Sequence, residues 1–490
     1  MMSWITGQPF NPLWEEKLPF ILRGLFLISF FIILFVYFYH KYFWHEKNNR
    51  RLFFISVGVI LFLVIAKYIL FHFSQGYVSD RMFFYALPSP RVRNMFWFFL
   101  PVLFFLVFLR FRRQLENLPE KKFLVVIFIF FVSFSLSVAG IRDGVASIAD
   151  PLTRTYWEYT GSIPLVNEIG VKNFLGQFNS ILPELPVHTQ THPPGYVLFL
   201  FFWQKLLPIG YLGLSTILVF MAGLIIFPLF YLWKRISSLD TAKKMLQIFV
   251  FTPSLVMFSA TSMEAFFILV VWLSITLCFW GWKNSWWLSA VAGVILSYCV
   301  FSNFLFLLLA PFFLFSLIHL SKNSTSKKLS VVAHAGVSLL VMIVFFAILR
   351  YIYDYSIIDN FFLARMINTG LVESNFLSLG TFLTYMFMNI VAFLVYLGVP
   401  SGIAFFSELG YNFKMRSFWG LSGAGILLFF LVIGIFQGEV ERIWLFLVPF
   451  FVISNARLFA GEQNNKQLNA VLSLLFFQII VFQVMFYTYW

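Results

Sequence analysis

Long apolar runs constrain this chain more than any other feature. PFILRGLFLISFFIILFVYFY at 19–39 and LSVVAHAGVSLLVMIVFFAILR at 329–350 each carry at most one charge. A run of about 20 mostly apolar residues crosses a bilayer as a helix. Such runs recur near 52–73, 95–111, 123–141, 211–233, 245–261, 264–281, 286–301, 304–320, 378–398, 417–436, 443–456 and 467–488. The sequence therefore predicts an all-α polytopic membrane protein with about 14 spans. The first run follows Glu15 and Glu16 rather than a basic stretch, so it reads as a span and not as a cleavable signal.

Composition excludes the soluble classes. Hydrophobic residues make up 61% of the chain and charged residues 11%, too little charge for a water-facing surface. Disorder, a collagen-like fibre and a disulfide scaffold fail on the same grounds. The two cysteines, Cys278 and Cys299, lie in apolar runs and read as packing residues. The net charge of +14 follows from lysines and arginines in loops, the positive-inside pattern, and not from a nucleic-acid partner. With the N-terminus outside, Lys47, Arg50 and Arg51, then Arg110, Arg112 and Arg113, then Lys234, Arg235, Lys243 and Lys244 all face the cytoplasm.

Most acidic residues fall on the other side, many of them in the long polar loop 142–195. Its aromatic and aliphatic residues predict folded interfacial helices, one around VNEIGVKNFLGQF. YVLFLFFWQKLLP, after His-Pro-Pro-Gly, is too short to span and is expected in the outer interface. Shorter outer turns carry Glu264 and the Glu439–Glu441–Arg442 group. Carboxylates at converging helix ends are suited to general-base work, and an arginine there to holding phosphate. Read singly, each has a structural alternative: Asp143 beside Arg142 as a local ion pair, Glu264 at a helix N-terminus, Arg442 paired with its neighbouring glutamates.

A span ending in Arg142-Asp143 comes first, then an aromatic-acidic loop with Glu158 in TYWEY. THPPGYVLFLFFWQKL, FTPSLVMFSATSMEAFF and GEVERIWLFLVP follow. That order resembles the C-type glycosyltransferases, polytopic enzymes that use polyprenyl-phosphate sugars. Protein O-mannosyltransferases and the aminoarabinose transferase are members. The resemblance spans roughly 123–456, which sets off extra N-terminal spans at 1–122, a core at 123–350 and C-terminal spans at 351–490. It implies Asp143 as the base that activates an acceptor hydroxyl, with Glu158 as a second carboxylate. It implies Arg142, His188, His192, Glu264 and Arg442 as substrate contacts, Arg442 among them for the phosphate. The donor would be a polyprenyl-phosphate sugar, the acceptor a glycan, lipid or protein, and the surroundings membrane lipid. No cofactor is required, and a divalent metal is left open. The site would lie on the extracytoplasmic side of the cell membrane. Two departures stand out: three extra spans precede the core, and no second acid follows Asp143. A transporter or flippase for lipid-linked sugars and a non-catalytic envelope-assembly protein are the alternatives.

Overall fold

The computed structural model describes residues 14–74, 76, 81–92, 95–322, 328–371, 375–460 and 465–488. Most of the Lys/Ser/Asn patch at 321–328 lies outside them. Among the described residues every regular element is helical, and the one β-type pairing is an isolated antiparallel bridge between Pro88 and Phe486. Ten described helices are long and apolar enough to cross a membrane. The count is eleven if Val399–Lys414 and Phe418–Val432, bent by 116°, form one span. Phe62, Leu103, Ile129, Leu340 and Ile343 are exposed on these helices, a surface suited to hydrocarbon and not to water. The protein is an all-α, multi-pass membrane protein.

Three expected spans, near 245–261, 286–301 and 443–456, do not form long helices. The first is split into Leu239–Phe249 and Pro253–Phe258. The third is a series of short turns, Val440–Ile443, Leu445–Leu447 and Val448–Ser454. Each break is followed by a proline, Pro253 or Pro449, which has no N–H to continue the ladder. Their side chains are almost wholly enclosed, as at Leu246, Phe249, Leu255, Phe446 and Phe450. Irregular backbone is tolerated at membrane depth when protein surrounds it. The second, Trp286–Ser302, is a regular but short helix. Ser285 joins it to Glu264–Asn284, and the Ser285 side chain caps it by accepting from the Leu288 N–H. Gly281 makes the hairpin tight, because a Cβ there would lie 2.7 Å from Ser289 N.

Contacts divide the chain into a smaller unit, 1–55, and a larger one, 56–490. In the smaller, the Trp14–Phe38 helix runs into a π-turn at Tyr39–Phe43, whose rings pack on Phe53. Residues 56–122, set apart by the sequence reading, count with the larger unit. Loop 142–195 is folded into the helices Val145–Thr153, Ile163–Ile181 and Val187–Gln190, the second of them broken at Gly170, whose φ is 79°. The expected interfacial stretch is the 12-residue helix Gly195–Leu206, about 18 Å long and well short of a bilayer.

Candidate active site at the loop end of the bundle

The loop builds the first part of the site by lashing two turns together. The N–H groups of Trp157 and Glu158 donate to the Arg154 carbonyl, which ends the preceding helix. The Val187 and His188 N–H groups donate to the Tyr156 and Trp157 carbonyls. These bonds set His188 Nδ1 3.3 Å from Glu158 Oε1. His192 follows, and its Nδ1 lies 2.8 Å from the His188 carbonyl oxygen. That nitrogen must donate there, which leaves Nε2 of a neutral ring as an acceptor. The two histidines do not share a helix, since Val187–Gln190 ends between them. Gly195 after His-Pro-Pro is required by packing: a Cβ would sit 2.5 Å from the Phe301 carbonyl oxygen.

Two other segments complete the cluster. Glu264 opens the Glu264–Asn284 helix, its N–H donating to Ser262 Oγ at 3.2 Å and its carboxylate accepting from the same hydroxyl. Arg442 Nη1 stands 4.0 Å from Glu264 Oε2, and its Nη2 is 2.5 Å from Glu439 Oε2. Glu439 is left-handed, with φ 56°, at a cost of about 1–2 kcal/mol for a side-chain-bearing residue. The turn is braced from outside: Asn375 and Asn389 donate to the Phe436 carbonyl, and Gly438 N–H donates to Asn389. Tyr159, overlooked in the sequence, lies inside the cluster, its ring 5.9 Å from His188, 5.7 Å from His192 and 5.1 Å from Tyr196.

Burial works against the charge of Arg442, but Glu264, Glu439 and Glu158 outweigh it, so the guanidinium holds its proton more firmly than usual. Burial also lowers His188, yet its bond to Glu158 prevails and the net shift is upward. Burial pushes His192 down to about 4, outweighing the upward pull of the nearby Glu264. Burial, then the nearby Glu264, keeps the Tyr159 phenol protonated. Three carboxylates thus face one guanidinium and one basic imidazole, an excess of negative charge around neutral hydrogen-bonding groups.

Asp143 and Arg142 are held differently. Asp143 Oδ1 is 2.6 Å from Arg91 Nη2, so its described ion pair is with a residue far upstream and not with Arg142. Arg142 is buried, its Nη1 donating to the carbonyls of Gln483, Val484 and Phe486 and its Nη2 to Ser89 Oγ. Arg154 pairs with Asp150 at 2.6 Å and bonds the Tyr487 hydroxyl. Near this group in the chain, Ala139 and Ile148 pack with Val219 and Ala260. Glu441 turns away from Arg442 and accepts the Tyr85 N–H at 2.6 Å, and burial pushes its carboxyl up to about 7. Glu158, His188, His192, Glu264 and Arg442 therefore come together, while Asp143 and Arg142 belong to a second group. Among the described residues no set of three His, Cys, Asp or Glu side chains is arranged to hold a metal ion. No family model matches the chain, and no curated protein matches it.

Proposed function

We propose that the protein is an integral-membrane glycosyltransferase that moves a sugar from a polyprenyl-phosphate donor to an acceptor hydroxyl at the extracytoplasmic face of the cell membrane. One observation carries this reading: ionisable groups from 158, 188–192, 264 and 439–442 converge on one cluster in a chain made of membrane helices. Asp143 takes the proton of the acceptor hydroxyl as its oxygen attacks the anomeric carbon, and a single displacement inverts that carbon. Glu158, Glu264 and the neutral His192 and Tyr159 accept and donate hydrogen bonds to sugar hydroxyls. Arg442 holds Glu264 and Glu439 in place. Its three acidic neighbours make it a poor first partner for another anion, which shifts the phosphate role expected of it elsewhere.

The purified protein, given a polyprenyl-phosphate sugar, should release free polyprenyl phosphate in the presence of an acceptor, and Asp143→Asn should abolish release. Transfer that persists in Asp143→Asn removes it as the base. A cysteine at Lys172 labelled only from the cytoplasm would overturn the sidedness.

A flippase for lipid-linked sugars is the second reading, favoured by the broken, enclosed helices at 239–258 and 440–454. It predicts lipid translocation without chemical turnover, and unchanged translocation in Asp143→Asn.

A further inference from the structure

The Glu120–Ala139 helix carries Asp143 just beyond one end, and its other end, about 30 Å away, is part of a second charged region that the mechanism above does not use. Side chains tie several helix ends together there. Lys234, in the last turn of the Ile226–Ile236 helix, pairs with Glu120 at 2.5 Å. Lys243 Nζ donates to the Glu116 and Leu118 carbonyls at 2.5 and 2.8 Å, which satisfies the end of the Met95–Glu116 helix. Gln247 Nε2 and Arg112 Nη1 both donate to Glu116 Oε1. The turns that leave the Met95–Glu116 and Ile226–Ile236 helices are thus held together.

The acids at these helix ends are all engaged: Glu116 with Arg112, Glu120 with Lys234, and Asp240 with Lys244 at 2.7 Å. The remaining cations are not. Arg110, Arg113, Lys121, Lys122 and Arg235 are exposed, and no ion pair among the described residues engages them. The positive-inside bias accounts for the side of the membrane they take, but not for five unbalanced charges on helix ends fastened to one another. Below them lies hydrocarbon-facing surface. Leu103, Val107 and Phe111 are exposed at one-turn intervals, and Arg110, three residues after Val107, continues that face of the helix. Tyr231, one turn before Arg235, is exposed as well. Cations above an apolar stripe, with an aromatic ring at the boundary, match the level where headgroups meet acyl chains.

We propose that this end of the bundle is a binding site for an anionic phospholipid, with its headgroup phosphate among Arg110, Arg113, Lys121, Lys122 and Arg235 and its acyl chains along Leu103, Val107 and Phe111. Charge complementarity selects the headgroup. An anionic lipid gains from every basic residue it meets at the surface, whereas a zwitterionic one brings its own cation and gains little. The apolar stripe selects a lipid over a soluble anion, since free phosphate has nothing to place against it. The lipid braces the ends of the helices that it touches, at the far end of the Glu120–Ala139 helix from Asp143. It neither enters nor blocks the proposed active site, and it is held there whatever reaction that site performs.

Native mass spectrometry of the full-length protein, released from nanodiscs of equal phosphatidylcholine and phosphatidylglycerol, reads the retained lipid directly. Wild type should retain phosphatidylglycerol in preference. Arg113→Gln/Lys121→Gln/Lys122→Gln/Arg235→Gln should lower that preference at least about fivefold, the scale of one basic residue near a charged membrane surface. Lys283→Gln/Lys322→Gln/Lys414→Gln/Arg416→Gln removes as many exposed cations elsewhere and should leave it within about twofold of wild type. Millimolar inorganic phosphate should displace the lipid no more than chloride of equal ionic strength does. No preference in wild type, an unchanged preference in the first variant, or equal loss in both variants would overturn the inference, as would specific displacement by phosphate. Should the first variant fail to fold, Lys121→Gln/Lys122→Gln, which changes only two exposed side chains, should still lower the preference, and an unchanged value there counts against the site.

Discussion

Two groups of charge are built on opposite plans. Around Arg442, carboxylates outnumber cations, Arg442, Glu158 and Glu264 are buried, and the members come from turns that cap helix ends. Around Arg142, guanidiniums outnumber carboxylates, Arg91 and Asp150 reach solvent, and the members are tied together by backbone carbonyls from the final helix. The contrast teaches that a sign of local charge, and not the presence of an arginine, indicates where an anion goes.

The sharpest way to break the contrast is to remove the base. Asp143→Asn should cut transfer by about two to four orders of magnitude, with melting temperature held near wild type. Equal loss in Arg350→Ala, a remote exposed ion-pair variant, would make the effect non-specific. Next comes Arg442→Ala, which leaves buried carboxylates without their cation and should cost about 3–5 kcal/mol of stability. Adding Glu264→Gln and Glu439→Gln should recover part of it, and no recovery would mean that Arg442 acts through packing.

Smaller effects appear with pH. Glu441 has a folded value raised from 4.5 to about 7, so its stability contribution is complete below 4.5 and declines as pH rises through 7. Glu441→Gln should therefore raise the melting temperature at pH 8 and leave it unchanged near pH 4. His188 is raised above 6.5 by Glu158, so that pair stabilises the fold fully below 6.5 and less as pH climbs through the raised value. The melting difference between wild type and His188→Gln should shrink over the same range. A difference that grows with pH would place the imidazole neutral at its carboxylate.

Much of the cluster was legible because polar residues are rare in this chain. Any charged residue at the end of an apolar run stands out, which is how Glu264 and Arg442 were found, while Glu158 stood out in the aromatic cluster TYWEY. Partners were harder to read. Arg91 lies in a stretch with no periodicity, and nothing in the spacing ties it to Asp143. Tyr159 is one aromatic among many, so only packing distinguishes it. The breaks at 250–252 and around Trp444 lie in mostly apolar sequence, where Pro253 and Pro449 were the signals that could have marked them. Helices surrounded by lipid and by other apolar helices lack a polar face, so the periodicity that reveals orientation in soluble proteins is weak here.

The anchoring of Arg142 has a consequence for biogenesis. Its carbonyl partners begin 341 residues further along the chain. At cellular elongation speeds of about 5–20 residues per second, the ribosome needs roughly 20–70 seconds to deliver them. Throughout that interval the nascent protein carries an arginine whose final acceptors do not yet exist, so water, headgroups or a chaperone must stand in until the closing helix inserts.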